Sequence, residues 1–297
     1  MKFGKVAQPE LVDFTLPESH PDTIRLLKKQ KKDDLSVYVG CAKWNKTDLK
    51  GFYPKGVKEE LSYYATQFNA IELNATFYRQ FPAAQFEKWY GKTPENFKFF
   101  PKLNQEISHW KRLANIEDTV NTYLYNASNL KEKLGTIFLQ MHSNFGTKNF
   151  DRLYNFAAGW PKNTPLAVEC RHPDWFSDTA ISGNFYQLLE DKNMANVIVD
   201  TAGRRDMLHM RLTNNEAFIR YVGANHASDY DRLDAWVIRL KEWVTLGLRK
   251  IHFFIHQNLE KESPLLAAHF IENLNKELNL NLHIPEVPNN RQSTLTF

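Results

Sequence analysis

The sequence predicts a single-domain (β/α)8 barrel, and three observations lead to this fold. Eight short apolar runs, most of them rich in β-branched or aromatic residues, alternate with longer segments of helical periodicity. Strict alternation requires parallel strands joined by right-handed crossovers, and eight such units close into a barrel. The length of 297 residues and the hydrophobic content of 42% suit one barrel with a sizeable core.

The strands and helices follow one another in order along the chain. The predicted strands cover residues 37–41, 70–74, 97–102, 136–140, 166–170, 196–200, 218–222 and 251–255. The predicted helices cover residues 58–68, 83–91, 116–133, 151–159, 183–192, 231–245 and 264–278. Only the connection between the sixth and seventh strands, residues 202–214, lacks a convincing helical pattern, so we expect a short turn there.

The chain divides into three parts. Residues 1–35 form an N-terminal extension, residues 36–282 form the barrel, and residues 283–297 form an irregular, Pro- and Asn-rich tail. In the extension, an amphipathic helix is expected to begin near Pro21 and to end before Asp33. We expect this helix to cover the closed end of the barrel.

Composition is typical of a reduced, cytoplasmic protein. The start of the chain lacks a basic end followed by an apolar stretch, and no run of about 18 apolar residues is present to span a bilayer. Cys41 and Cys170 fall in different predicted strands, without the spacing of a redox or zinc site. We therefore expect no export, no membrane partner and a cytoplasmic location.

The charge distribution does not favour nucleic acid as a partner. The net charge of +4 is mild for a nucleic-acid module. The densest basic cluster, which Asp33 and Asp34 follow at once, consists of Lys28, Lys29, Lys31 and Lys32. A solvated helix end explains this pattern better than a phosphate-binding arm does.

Polar and charged residues gather at the carboxyl ends of the predicted strands, where barrels of this kind carry their active sites. Side chains alternate along a strand, so Glu72 shares a face with Asn74, and Glu169 shares a face with Arg171. The predicted catalytic residues are Glu72, Glu169 and Asp200. The predicted substrate-binding residues are Trp44, Asn74, Tyr78, Lys102, His109, Gln140, Arg171, Trp175, Arg220 and Asn258. We expect Glu72, Glu169, Arg171, Asp200 and Arg220 to face a common cavity.

The charges of this set balance, because the three carboxylates meet three cations, Lys102, Arg171 and Arg220. Mutual neutralisation alone would explain the balance, since a buried, unpaired charge is costly. An apolar strand end would be at least as stable, however, so the concentration of ionisable groups at the working end of the fold favours a function.

The same residues give the chain a resemblance to the DUF72 (YecE-like) family of bacterial barrel proteins. The motifs that carry it are GCAKW (40–44), GFYP (51–54), ELNATFY (72–78), PENFKFFPK (94–102), SHWKRL (108–113), LQ (139–140), ECRHPDW (169–175), VD (199–200), IRYVG (219–223) and FFIHQN (253–258). Two local departures occur: His142 stands where a proline usually follows Gln140, and His256-Gln257 precedes Asn258. The resemblance implies a TIM barrel and no particular reaction.

Two established chemistries fit the residues less well. A retaining glycosidase needs carboxyl groups about 5 Å apart, which Glu169 and Asp200 on neighbouring strands would supply. The large glycosidase clan on this fold instead carries carboxylates on strands four and seven, where this chain has Gln140 and Arg220. A metal-dependent isomerase or phosphodiesterase would use Glu72, Glu169, Asp200, His172 and His256. The neighbouring cations compete for these carboxylates and no HxH or HExxH spacing is present, so we predict no metal and no cofactor.

Lys102 would be able to form a Schiff base if it were desolvated, but Glu72 and Asn74 are expected beside it, and an ion pair is the favoured interpretation. The preferred hypothesis is a metal-independent enzyme for a small polar or anionic, sugar- or phosphate-like substrate. Lys102, Arg171 and Arg220 would clamp the anion, because a guanidinium fork matches carboxylate or phosphate geometry. The three carboxylates would move protons. The alternative is a module that binds or processes nucleic acid.

Overall fold

The structure is a computed structural model that describes residues 4–30, 33–177 and 179–287. Within these ranges, eight strands lie at the predicted positions: β1 (Ser36–Cys41), β2 (Ala70–Leu73), β3 (Lys98–Pro101), β4 (Ile137–Gln140), β5 (Leu166–Glu169), β6 (Ala195–Thr201), β7 (Glu216–Gly223) and β8 (Lys250–Gln257). A curled, parallel six-stranded sheet has the order β1-β8-β7-β6-β5-β4, and β2 pairs with β3 in a second parallel sheet. The chain therefore has the predicted α/β fold with parallel strands.

Side chains connect β1 to β2, where the two backbones approach closely. The Tyr64 hydroxyl accepts a hydrogen bond from the Cys41 backbone N–H at 2.7 Å and donates one to the Ala70 carbonyl at 3.0 Å. A Cβ atom at Gly40 would lie 2.1 Å from the same carbonyl oxygen. Only glycine fits this approach without a shift of the backbone.

Backbone contacts connect β3 to β4. The Gly135 N–H donates to the Phe99 carbonyl at 2.8 Å, and the Leu103 N–H donates to the Phe138 carbonyl at 2.9 Å. Lys102 and Phe138 form an isolated parallel bridge. The two-stranded sheet is thus linked to the larger sheet on both of its sides.

The α-helices of the described residues are α1 (Pro21–Leu27), α2 (Glu60–Gln67), α3 (Ala75–Tyr78), α4 (Ala83–Tyr90), α5 (Glu117–Ala127), α6 (Phe150–Gly159), α7 (Asp174–Ser177), α8 (Thr179–Asp191), α9 (Ser228–Leu246) and α10 (Ser263–Leu278). The predicted helix over 116–133 is shorter than expected. It ends at Ala127 and continues as a 3-10 segment, in which Lys131 has a φ of 50°. The short helices α3 and α7 were not predicted.

The connection between β6 and β7 contains only a 3-10 turn, Arg205–Met207, as predicted. The N-terminal helix α1 packs beside this connection and approaches the segment before β8, where a Cβ atom at Gly247 would lie 2.2 Å from the Leu27 carbonyl oxygen. That α1 covers the closed end of the barrel stays a prediction. The Thr23 hydroxyl donates to the Met210 carbonyl at 3.0 Å, and the ring of His20 contacts that of Tyr186 in α8. Since α1 also contacts α9, it occupies the flank that a helix between β6 and β7 would cover.

Beyond α10 the described chain has no regular structure, in keeping with the predicted irregular tail. The Glu286 backbone N–H donates to Gln67 Oε1 at 2.8 Å, so this part is fastened to α2. The rest of the predicted tail, residues 288–297, lies outside the described residues, as do Lys31 and Lys32. None of the described helices combines the length and apolar character needed to cross a membrane.

The hydrophobic core has two layers that fix the direction of the strand side chains. A large cluster fills the space between the strands and the helices. A smaller cluster lies on the inner face of the strands and consists of Ala70, Phe100, Phe138, Ala167, Ala195, Val197, Val199, Met207, Phe218 and Phe254. Because side chains alternate along a strand, the residue two positions beyond an inner residue also faces inward.

Candidate functional site

The candidate site lies one layer above the inner core, at the carboxyl ends of the strands. Its central residues each follow an inner-core residue by two positions and are Glu72, Lys102, Gln140, Glu169 and Arg220. All five are buried. The polar ends of β2, β5 and β7 thus lie together, as the alternation of side chains predicts.

Arg220 is the centre of this cluster. Its Nε and Nη2 atoms donate to Glu72 Oε2 and Oε1 at 2.9 and 2.8 Å. Its Nη1 atom donates to Glu169 Oε2 at 2.7 Å. One guanidinium group therefore binds two carboxylates that have no exposed surface, and its donors are largely occupied by the protein itself.

The side-chain amide oxygen of Gln140 accepts hydrogen bonds from all three cations named for this site, Lys102, Arg171 and Arg220. Its Oε1 atom lies 2.7 Å from Arg171 Nη2, 3.0 Å from Lys102 Nζ and 3.2 Å from Arg220 Nη1. Arg171 also donates through Nε to Glu169. The Arg171 side chain is 15% exposed, so it connects the buried cluster to solvent.

Asn74 and His256 complete the cluster at its rim. Asn74 Nδ2 donates to Glu72 Oε1 at 2.7 Å, and His256 Nε2 lies 2.9 Å from Glu72 Oε2. Both residues are partly exposed. From the sequence, His256 was named only as a candidate metal ligand, although its position two residues beyond the inner-core Phe254 would have placed it here.

Both buried carboxylates are ionised near neutral pH. Burial alone raises the pKa of Glu169, but Arg171 and Arg220 outweigh it and bring this pKa to about 2. Burial is likewise outweighed at Glu72, where Arg220 and then His256 hold the pKa well below its usual range. Carboxyl groups with such low pKa values are poorly suited to carry a proton at pH 7.

Lys102 has no carboxylate partner among the described residues, which corrects the expected ion pair. Its Nζ atom donates to Gln140 Oε1 and lies 4.0 Å from the centroid of the Phe77 ring. Burial, followed by the positive charges of Arg220 and Arg171, lowers the pKa of Lys102 to about 7. The neutral amine is therefore accessible near physiological pH.

Asp200 lies on the opposite face of β6, so the expected convergence is wrong for this residue. Its neighbour Val199 faces the inner core and is paired with Arg220. Asp200 Oδ1 accepts a hydrogen bond from Arg232 Nη2 at 2.7 Å, and Oδ2 accepts one from Trp236 Nε1 at 2.8 Å. Both of these partners belong to α9, and Arg205 Nη1 of the following 3-10 turn also donates to Oδ1, so Asp200 connects β6 to the helix layer and to this turn.

Four further predicted site residues do not join the cluster. Trp175 is fully buried in the outer core, and its Nε1 atom donates to the Phe145 carbonyl at 2.7 Å. Trp44 packs edge-on against Trp89. Tyr78 and Asn258 are exposed. Tyr78 contacts the Phe77 ring edge-on, and Asn258 lies just past the end of β8.

His109 reaches the rim from a segment of unusual backbone. It belongs to a π-helical turn, Glu106–Trp110, and is followed by Arg112 and Leu113 at φ values of 48° and 63°. Such conformations are costly for residues other than glycine and cluster at functional sites. Burial and then the charge of Lys102 lower the pKa of His109 to about 4, so its ring is neutral near pH 7.

A second rim histidine, His142, was not predicted as a site residue. Its ring lies edge-on to His109, with 5.2 Å between centroids. Among the residues that the structure describes, no group of three His, Cys, Asp or Glu side chains converges to hold a metal ion. Two cavities of about 520 and 530 Å³ lie elsewhere, beside α9 and at the amino ends of β5 and β7.

Comparison with known proteins gives consistent matches. The family described as "Protein of unknown function DUF72" matches residues 38–292. The protein UPF0759 YecE of Escherichia coli (strain K12) is 26% identical over 281 residues, which cover 87% of this chain and 99% of YecE. UPF0759 YunF of Bacillus subtilis (strain 168) is 29% identical over 154 residues, or 48% of this chain and 52% of YunF.

Two solved structures of DUF72 family proteins have a similar fold. The protein from Enterococcus faecalis V583 has a TM-score of 0.63 at 20% identity, covering 84% of this chain and 100% of that one. The protein from Thermotoga maritima MSB8 has a TM-score of 0.62 at 24% identity, covering 80% and 98%. With a family match over most of its length, the chain belongs to the DUF72 family.

Proposed function

We propose that this protein is a metal-independent enzyme that acts on a small polar, anionic substrate, sugar- or phosphate-like, at the carboxyl-terminal mouth of the strands. The observation that carries the proposal is the charge of the buried cluster. Glu72 and Glu169 are matched by Arg220 and Arg171, and Lys102, when it is protonated, adds a cation with no carboxylate partner among the described residues. An anionic ligand would supply the missing negative charge.

The contacts divide the cluster into a floor and a rim. Arg220 and its two carboxylates form the floor, because they are fully buried and bind one another. In this proposal Lys102 and Arg171 attract the anionic group, and Asn74, His109 and His256 orient polar groups of the substrate. The carboxylates hold the cations in place instead of transferring protons, in keeping with their lowered pKa values.

A closed (β/α)8 barrel is part of the proposal, since one mouth must gather residues from β2, β3, β4, β5, β7 and β8. The contacts that link β1 to β2 and β3 to β4 support closure. We also propose a cytoplasmic location, in keeping with two buried free thiols, Cys41 and Cys170.

The test is a thermal-shift screen of sugar phosphates and small carboxylates, followed by crystal soaking and by hydrolase, lyase and isomerase assays of the ligands that bind. A ligand at about 100 times its Kd stabilises a protein by about 2.7 kcal/mol. We expect Arg171→Met to abolish the shift and Arg152→Met, a change outside the site, to preserve it. No shift with any anion, together with an empty mouth in soaked crystals, would contradict the proposal.

A further inference from the structure

The surroundings of Lys102 differ from those of an ordinary buried lysine. The residue is 6% exposed, its Nζ atom lies over the Phe77 ring, and its hydrogen-bond acceptor is the neutral amide oxygen of Gln140. That oxygen is shared with two guanidinium groups. Burial and the two guanidinium groups disfavour a protonated amine and outweigh the attraction of the Phe77 ring for a cation, which leaves a lone pair available for reaction.

Lys133 provides a comparison within the same chain. It is 4% exposed, and its Nζ atom lies over the Tyr90 ring at 4.1 Å from the centroid. It donates to the carbonyl oxygens of Tyr90 and Thr93, both at 2.7 Å, and within the described part of the chain no guanidinium group donates to these acceptors. Burial and an aromatic ring are thus common to both lysines, whereas the competing cations are particular to Lys102.

We propose that Lys102 is a catalytic residue that forms an imine with the carbonyl group of an anionic substrate, such as an α-keto acid or a phosphorylated aldose or ketose. This inference rests on the proposed function and specifies its substrate class. The anionic group meets Arg171 at the rim, and the carbonyl carbon lies above the Lys102 amine.

The reaction balances without a redox partner. The lone pair of Nζ forms a bond to the carbonyl carbon, and the carbonyl π electrons move to oxygen, which takes up a proton. The carbinolamine then loses its hydroxyl group as water, with one proton taken from solvent overall, and leaves a protonated imine. The pKa of about 7 supplies free amine for the first step.

Charge favours an anionic carbonyl compound over a neutral one. The protonated imine carries a positive charge at the position of Nζ, where burial, Arg220 and Arg171 disfavour a cation more than Glu169 and Glu72 favour it. With Arg171 and Arg220 the site then holds three positive charges and two negative charges. One anionic group on the substrate makes it neutral.

The experiment is borohydride trapping on the full chain. The protein is incubated with pyruvate or glyceraldehyde 3-phosphate, reduced with sodium borohydride, and examined by intact mass and peptide mapping. We expect one adduct at Lys102, none at Lys133, and none in Lys102→Arg, which keeps the positive charge. The initial rate of reaction with acetylacetone, which reports the free amine, should rise about tenfold between pH 6 and pH 8 at Lys102.

Thermal stabilisation by glycerol 3-phosphate, an anion without a carbonyl group, separates the two proposals. Stabilisation without an adduct at Lys102 overturns the imine and leaves the proposed function standing. Adducts spread equally over Lys102, Lys133 and surface lysines also overturn the imine. If neither glycerol 3-phosphate nor the carbonyl compounds bind, both proposals fail. These results need only the wild-type chain, so they hold even if Lys102→Arg does not fold.

Discussion

Arg220 and Glu72 are 148 residues apart in sequence and form a two-point ion pair, with Nε–Oε2 and Nη2–Oε1 distances of 2.9 and 2.8 Å. The pair joins β7 to β2 across the inside of the strand ends. The same guanidinium group binds Glu169 on β5, so three strands that are not neighbours depend on one side chain.

Replacement of Arg220 should therefore destabilise the fold strongly. Arg220→Met leaves two buried carboxylates without their main partner, and we expect the free energy of unfolding to fall by about 3–5 kcal/mol. Urea unfolding of the variant and of the wild-type chain measures this difference in the free energy of unfolding. Arg25→Met, which removes a mostly exposed ion pair with Asp22, should cost less than about 1 kcal/mol. A loss at Arg220 no larger than that at Arg25 would contradict the central role of Arg220.

Lys102 should reduce stability at and below neutral pH. Its folded-state pKa of about 7 lies below the ordinary 10.5, so between these values the unfolded chain binds more protons and stability rises with pH. Lys102→Met removes the buried cation, and we expect a gain of about 1–4 kcal/mol at pH 6 that shrinks toward pH 10.

The matched control for this change is Lys133→Met, which should lose stability because the carbonyl groups of Tyr90 and Thr93 lose their donor. Urea unfolding at pH 6 and pH 9 compares the two variants. A destabilised Lys102→Met at pH 6 would show that the lysine is well accommodated as a cation.

Acid should weaken the protein through Glu169. Its pKa is lowered from 4.5 to about 2, so its stabilising contribution is complete above pH 4.5 and is lost as the pH falls toward 2. This lowering of the pKa corresponds to roughly 3 kcal/mol of folding free energy. Glu169→Gln should be less stable at pH 6 and should show a shallower decline in acid. Identical slopes for the two chains would exclude Glu169 as a source of acid sensitivity.

Asp200 should act on stability alone. Asp200→Asn weakens the bonds to Arg232 and Trp236, and we expect a loss of about 1.5–3 kcal/mol. Under conditions where the variant is folded, its Kd for a bound anion should stay within about twofold of the wild-type value. Titration calorimetry measures this Kd, and a tenfold increase would return Asp200 to the site.

Strand positions could be predicted because buried parallel strands are short apolar runs between turn signals. Facing direction could be predicted for β2 and β5, where Glu72 and Glu169 lie two residues beyond Ala70 and Ala167 of the inner core. The prediction of facing direction failed at β6, because Asp200 was assumed to face inward only because it lies at the end of the strand. Alternate residues of a strand face the same side, and in β6 the inward-facing set contains Val199 and therefore not Asp200.

Loop residues could not be placed by such rules. Trp175 follows β5 closely, yet the short helix α7 turns it into the outer core. The π-helical turn that carries His109 has no simple sequence signal. Nor does the sequence show that Lys102 contacts Gln140 instead of Glu72, since that choice depends on which carboxylates Arg220 already occupies.

The place of α1 in the outer layer bears on the order in which the chain folds. Thr23 is 187 residues from Met210, its hydrogen-bond partner. Contacts between such distant segments raise contact order and slow folding. Helix α1 therefore cannot dock until the segment around Met210 has been synthesised, and until then the apolar side of α1 and the uncovered flank beside β6 are both exposed to incorrect association.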